Sequence, residues 1–304
     1  MNKILIFLFL LSLSGKSLSS EIDNFAHFNH QTPDVTQDLN ELTNNLMLKA
    51  ISKANSKHIV GEFCSKSILY KSLKGSFAKP LRGQIEEYIL KKPETIPQLR
   101  IPLEHSIYNG FRGIDFITRL PYGKLGSIVN INGVYVGSDK FGHFHTEGLE
   151  YFFKAYKDKS IPEVLGAMKW GIKTEESYFG RWTTGVISYA DLAANFNGMR
   201  FWNNVLALKP DILEQSNGPY VECSDEKWIQ IKRFDWGRYI DETFDETINC
   251  NKFSSNKLRT LHDANVKRIY GEDVFCGASE ELIYRLKEKY SEYFSLLSNM
   301  TLIP

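Results

Sequence analysis

Three polar clusters interrupt otherwise apolar, helix-patterned sequence between residues 139 and 198, and they constrain the fold more than any other stretch. They read Asp139-Lys140-x-x-His143, then Glu175-Glu176-Ser177, then Asp191-x-x-x-Asn195-x-x-Gly198. A lone carboxylate, ammonium or imidazole in a core loses its hydration without replacement, so such groups pair with one another or do chemistry. Several of them within sixty residues of helical pattern predict one shared polar site.

The amino terminus sets the compartment. Lys3 precedes an apolar run from Ile4 to Leu13 broken only by Ser12, and Ser17-Leu18-Ser19 offers small residues ahead of a cut near Ser20 or Glu21. This is the pattern of a secretory signal peptide over residues 1–20, too short to span a bilayer. With no cysteine near the cut, no lipid anchor is expected, and the mature chain is read as periplasmic or secreted. The whole chain has 37 basic and 36 acidic side chains. Removing Lys3 and Lys16 with the signal leaves 35 against 36, a mature charge of −1. That balance gives no electrostatic argument for nucleic acid. Four cysteines, Cys64, Cys223, Cys250 and Cys276, predict two disulfides in an oxidising compartment, with three connectivities open. They contain no C-x-x-C pair.

Residues 21–50 are rich in Asn, Asp, Gln and Thr and are read as a loosely ordered polar leader, ahead of one globular domain over 51–304 with its core motif at 127–207. Short helical stretches are expected at 82–91 and 103–109, and irregular connections around Pro93, Pro97 and Pro102. In 127–136, β-branched residues flank Asn132-Gly133, which predicts a tight β-hairpin. Ser138 then reads as the N-cap of a helix to about Tyr156 with Asp139 in its first turn. Further helices are expected from Ile161-Pro162 to Ser177, over 188–207, and over 279–298, the last as a solvated amphipathic element. The fold class is mainly α, α+β in having one small hairpin.

Asp139, His143 and Glu147 are spaced i, i+4, i+8 and share a helix face. They serve as cap and paired imidazole, or His143, His145 and Glu147 ligate a metal; no His-Glu-x-x-His signature is present, and the preferred reading assigns no metal and no cofactor. Glu175 and Glu176 close a helix at the end where the dipole disfavours acids, against Tyr178, Phe179 and Trp182. A glutamic acid so placed, desolvated by rings, can protonate a glycosidic oxygen; the alternative is a solvated pair with Arg181. Thr183, Thr184, Ser188 and Asp191 are candidates for the second polar group. Asp191, Asn195 and Gly198 align at helical spacing. Asp191 either serves the site or caps its helix, and Gly198 admits a close approach by a helix or a sugar.

The order Asp-Lys-x-x-His, Glu, Asp-x-x-x-Asn-x-x-Gly resembles the YfiM and VanZ-like envelope proteins, with Asp139, Lys140, His143, Glu176, Asp191, Asn195 and Gly198 on the motif positions. The likeness covers about a fifth of the chain, which lacks the membrane spans of the one group and the anchor cysteine of the other. It implies an envelope setting. A second resemblance is to the lysozyme superfamily, including the lysozymes that predatory bacteria secrete against deacetylated peptidoglycan: a Glu at a helix end, a Gly-, Ser- and Thr-rich segment, then further helices. Gly185-Val186-Ile187-Ser188 stands where lytic transglycosylases carry Gly-Leu-Met-Gln. This likeness implies a lysozyme-like helical domain around a polar cleft that cleaves peptidoglycan glycan strands. Glu176 would be its general acid (Glu175 the alternate), Asp191 the charge-stabilising or water-orienting group, and Asp139, Lys140, His143, Tyr178, Thr184, Ser188, Asn195 and Gly198 its support. The alternative is a non-enzymatic envelope protein held together by a structural polar network.

Overall fold

The computed structural model describes residues 21–57, 63–78, 83–118, 125–157, 159–174, 184–215 and 217–303. The expected signal peptide, and Glu175, Glu176 and Tyr178 among the expected site residues, lie outside them. Described elements in chain order are α1 (Thr36–Asn55), α2 (Lys66–Phe77), α3 (Gln84–Lys91), α4 (Arg112–Thr118), β1 (Ile128–Ile131) and β2 (Val134–Gly137). There follow α5 (Asp139–Gly142), a π-helical turn (His143–Glu147), α6 (Gly148–Tyr156), α7 (Val164–Thr174), β3 (Val186–Ile187) and α8 (Tyr189–Asn204). The remainder is β4 (Val221–Ser224), β5 (Lys227–Gln230), β6 (Lys252–Phe253), α9 (Asn256–Tyr270), α10 (Glu280–Tyr290) and α11 (Phe294–Leu297). The described chain is thus mainly helical, with three two-stranded antiparallel sheets, β1–β2, β3–β6 and β4–β5. No described helix is long and apolar enough to cross a membrane.

The hairpin forms where expected. Asn132 and Gly133 both take positive φ, 50° and 86°, the conformation a two-residue turn demands. Ile131 then pairs with Val134 and Ile128 with Gly137. The helix after it also forms, but Ser138 is not its N-cap: its backbone is already helical, and its Oγ accepts a hydrogen bond from Ser127 N at 3.2 Å instead. The cap signal was local, while the nearest unsatisfied donor belonged to the hairpin.

The loose leader is the main correction. In its place α1, the longest described helix, packs on the core through Leu39, Met47, Ala50 and Ile51. Its amides are buried too, because they satisfy a distant backbone segment that has no ladder of its own. Asn44 Nδ2 donates to Phe234 O and Asn44 Oδ1 accepts from Phe234 N, both at 2.9 Å. Asn40 Oδ1 accepts from Trp236 N at 2.8 Å, and Trp236 Nε1 donates to Thr43 Oγ1 at 2.9 Å. Polar composition here marks hydrogen-bonded packing, not solvation.

The closest helix contact is backbone to backbone. A Cβ on Gly198 of α8 would lie 1.9 Å from Phe144 O, and one on Gly148 would lie 2.7 Å from Gly198 Cα. Gly198 therefore admits a helix, and the crossing holds the π-helical turn directly against α8. At the chain end the predicted solvated helix breaks at Ser291 into α10, a short 3-10 turn and α11, and is anchored by buried Leu286, Tyr290 and Leu297. The cysteines pair as Cys64–Cys223 and Cys250–Cys276. Two disulfides fit an extracytoplasmic location.

Candidate functional site

Lys140 is the centre of the site. It leaves the hairpin at the start of α5 with 1% of its side chain exposed, and its three donors meet three carboxylates. Nζ lies 3.0 Å from Asp139 Oδ2, 2.7 Å from Asp191 Oδ1 and 2.5 Å from Glu246 Oε1. Asp191 is placed by the first turn of α8, which Ser188 caps: its Oγ accepts from Asp191 N and donates to Glu246 Oε1, each at 3.2 Å. The capping alternative raised for Asp191 is thereby taken by Ser188, which leaves the Asp191 carboxylate to the network. Glu246 reaches in from the loop after α8 and the β4–β5 hairpin, and its Oε2 accepts from Asn251 Nδ2 at 3.0 Å.

On the opposite side of Asp191 stands His143, in the π-helical turn. Its Nε2 is 3.4 Å from Asp191 Oδ2, and its Nδ1 is 3.2 Å from Asn195 Oδ1 and 3.9 Å from Glu147 Oε2. Such π turns are rare and concentrate at functional sites. Glu147 is the outer member of this line, with 20% of its side chain exposed. Thr184 does not touch Lys140; its Oγ1 donates to Glu21 Oε1 at 2.7 Å. Asp139, Lys140, His143, Ser188, Asp191 and Asn195 lie together around one buried cluster, Thr184 sits one step away on Glu21, and Gly198 serves the helix crossing.

The charges are unequal. Burial works against a charged Lys140, yet Asp139, Asp191 and Glu246 outweigh it and hold the ammonium well above its ordinary range. Burial likewise pushes Asp139 up to about 6, with Asp191 and Glu246 adding to the rise and Lys140 opposing it. Asp191 is also buried, but His143, Lys140 and Ser188 override the cost and keep it below the usual carboxylate range. Glu21 keeps some solvent exposure, yet the surrounding protein encloses its carboxyl. Burial and the charge of Glu246 push it up to about 8 against the Thr184 hydrogen bond. Within a short distance the protein thus raises one carboxyl and lowers another.

Ligand atoms of Asp139, His143 and Asp191 lie within 4.8 Å of one another, the spacing a metal ion needs, but Lys140 already takes an oxygen of each acid. The His143, His145, Glu147 set does not assemble. His145 turns into the core, where Nδ1 meets Phe141 O at 2.9 Å and the ring stacks on Phe77 with centroids 4.6 Å apart. Burial lowers it to about 4, so it is a neutral core residue. Residues i and i+2 on a helix point apart, which is why one histidine reaches the network and the other cannot.

Sequence reasoning missed Glu246 and Glu21. A signal existed for the first, in the doublet Asp241-Glu242-Thr243 and Asp245-Glu246-Thr247. Each Asp turns the chain by accepting from the Thr amide two residues on, at 2.9 Å in both cases. Glu242 then points out to Arg285 and Glu246 points in to Lys140. No family model matches the chain, and no curated protein or solved structure is similar to it.

Proposed function

We propose that this chain is an extracytoplasmic glycoside hydrolase that cleaves peptidoglycan glycan strands, with acid–base chemistry seated in the Lys140 network. The observation that carries the reading is the convergence of Asp139, Asp191 and Glu246 on buried Lys140, where Asp139 is raised to about 6 and Asp191 is held low. Glycosidic cleavage asks for a pair, a protonated carboxyl for the leaving oxygen and an anion that stabilises positive charge on the sugar or orients water. Asp191 takes the second role. Lys140 and His143 hold Asp191 in its charged form, His143 on the other Asp191 oxygen, and Asn195 orients the imidazole. For the acid, motif order points to Glu176.

The test is digestion of purified sacculi by the exported chain, residues 21–304, with soluble products read by mass spectrometry. Reducing-end fragments are expected, with a rate lowered about 10²- to 10⁴-fold by the substitution that removes the acid, Glu176→Gln. Asp191→Asn should act on the same scale. Anhydro ends would mark transfer to an internal hydroxyl instead of hydrolysis. Intact sacculi from the folded chain would end the reading.

One observation favours a second reading, the envelope protein with a structural network: a lysine 1% exposed that is ion-paired with three carboxylates. Removing one member of such a cluster strands the others. Glu246→Gln would then lower Tm steeply while no form of the chain releases sugar.

A further inference from the structure

Lys140 orients two carboxylates around a histidine. Its Nζ holds Asp139 by Oδ2 at 3.0 Å and Asp191 by Oδ1 at 2.7 Å. His143, one turn beyond Asp139 and on the π-helical turn, is held from its far side, where Nδ1 lies 3.2 Å from Asn195 Oδ1. One ligand atom from each of Asp139, His143 and Asp191 lies within 4.8 Å of the other two, and all three residues are more than nine-tenths buried.

The imidazole shows what belongs between them. An amide oxygen only accepts, so His143 Nδ1 carries a proton, and the neutral ring then keeps its lone pair on Nε2. That lone pair faces Asp191 Oδ2 at 3.4 Å. Two electron-rich atoms turned on each other repel unless a positive charge lies between them. A shared proton would draw them to about 2.7–2.9 Å, the length of a charge-assisted hydrogen bond. Two ligands of one tetrahedral ion with bonds of about 2.1 Å stand about 3.4 Å apart. The spacing is that of the ion.

The surroundings fit as well. A metal-bound histidine donates its other ring N–H to a fixed acceptor, and metal-bound carboxylates are themselves hydrogen-bonded. Asn195 and Lys140 stand in those two positions. Asp139, Asp191 and Glu246 bring three negative charges against the one positive charge of Lys140, and a divalent cation makes up the difference.

We infer that Asp139, His143 and Asp191 form a zinc site, with His143 binding through Nε2, Asp191 through Oδ2 and Asp139 through a carboxylate oxygen. One imidazole with two carboxylates suits zinc, whereas magnesium and calcium take oxygen ligands. Three protein ligands leave the fourth tetrahedral position to water. The inference goes beyond the glycan reading and does not rest on it, and its test reads bound metal instead of activity.

The full chain, purified with both disulfides formed, is stripped of metal with a chelator, freed of the chelator and titrated with zinc chloride by calorimetry. Bound metal is then counted by elemental mass spectrometry. One zinc per chain is expected. Asn195→Ala keeps all three ligands and removes only the partner of His143, so it should weaken binding about 10- to 100-fold. His143→Ala removes a ligand and should weaken it further. Circular dichroism checks that each variant is folded, and Asn195→Ala decides the matter alone if His143→Ala does not fold. Zinc affinity unchanged in either folded variant places the ion elsewhere and overturns the site. A folded parent chain that takes up no zinc overturns it too, and leaves a proton between His143 and Asp191.

Discussion

Among the described residues two lysine or arginine side chains, Arg200 and Lys140, are fully buried, and they are balanced differently. Arg200, on the far part of α8, meets a single carboxylate. Its Nε and Nη2 reach Asp211 at 3.1 and 3.0 Å, and neutral amide oxygens of Asn197 and Gln215 take Nη1 and Nη2 at 2.7 and 2.8 Å. One plus meets one minus, and neutral acceptors fill the remaining fork, as a structural ion pair requires. Lys140 faces Asp139, Asp191 and Glu246, with Glu21 under the field of Glu246. Burial is the main reason that Glu21 and Asp139 are raised, and that surplus of acids adds to it. A surplus adds nothing to packing that one acid would not, so it marks this cluster, and not the Arg200 pair, as the place to look for proton chemistry.

The largest expected effect would break that comparison. Arg200→Met alone should cost about 3–5 kcal/mol by stranding Asp211, and adding Asp211→Leu should recover most of it, since a balanced pair can be replaced by apolar groups. Lys140→Met should cost as much or more, and adding Asp191→Leu should recover little, because Asp139 and Glu246 stay buried without their cation. Equal recovery in both double variants, measured by urea unfolding, would show that the two clusters are energetically alike.

Next comes the disulfide that holds the Glu246 end. Cys276 Sγ approaches Glu246 O at 3.3 Å, and the Cys250–Cys276 bond closes 26 residues of sequence. Its replacement by serines should cost about 3.5 kcal/mol in chain entropy. If the network is functional, activity should fall by more than the loss of folded protein at the assay temperature.

Acidity gives a signed effect. Burial raises Asp23 from 3.8 to about 6, against bonds from Ile107 N and Tyr270, and Glu21 rises from 4.5 to about 8. A carboxyl raised by folding supports stability fully below its unfolded pKa and loses that support as pH climbs through its folded value. Stability should therefore fall between roughly pH 4 and 8, on the order of 3 kcal/mol for Asp23. Glu21→Gln should flatten the upper part of that slope and Asp23→Asn the lower. A Tm that stays level across this range would show both carboxyls ionising as they do in water.

The smallest effect concerns orientation. Asn195→Ala removes the 3.2 Å partner of His143 Nδ1 and should cost about 1 kcal/mol. A larger loss in sugar release than in stability would place His143 in the chemistry.

Much of the motif was legible. The residues that gather on Lys140 from 139–198 are those that the helical spacing aligned, since a spacing of four residues puts side chains on one face whatever the rest of the chain does. The leader was misread because composition cannot tell a solvated asparagine from one that completes a distant backbone, as Asn40 and Asn44 do for residues 234–236.

By itself the sequence determined what is local. Asn132-Gly133 turns the hairpin because few residue pairs accept positive φ twice, and an even set of four cysteines predicts disulfides in an oxidising compartment. Tertiary structure decided what is distant: that Glu246, 106 residues from Lys140, completes the network, that Glu21 joins it, and which cysteines meet. Charge and hydrogen-bonding capacity are written in each residue. Which partner satisfies them depends on where packing brings the chain, and no spacing in the sequence records that.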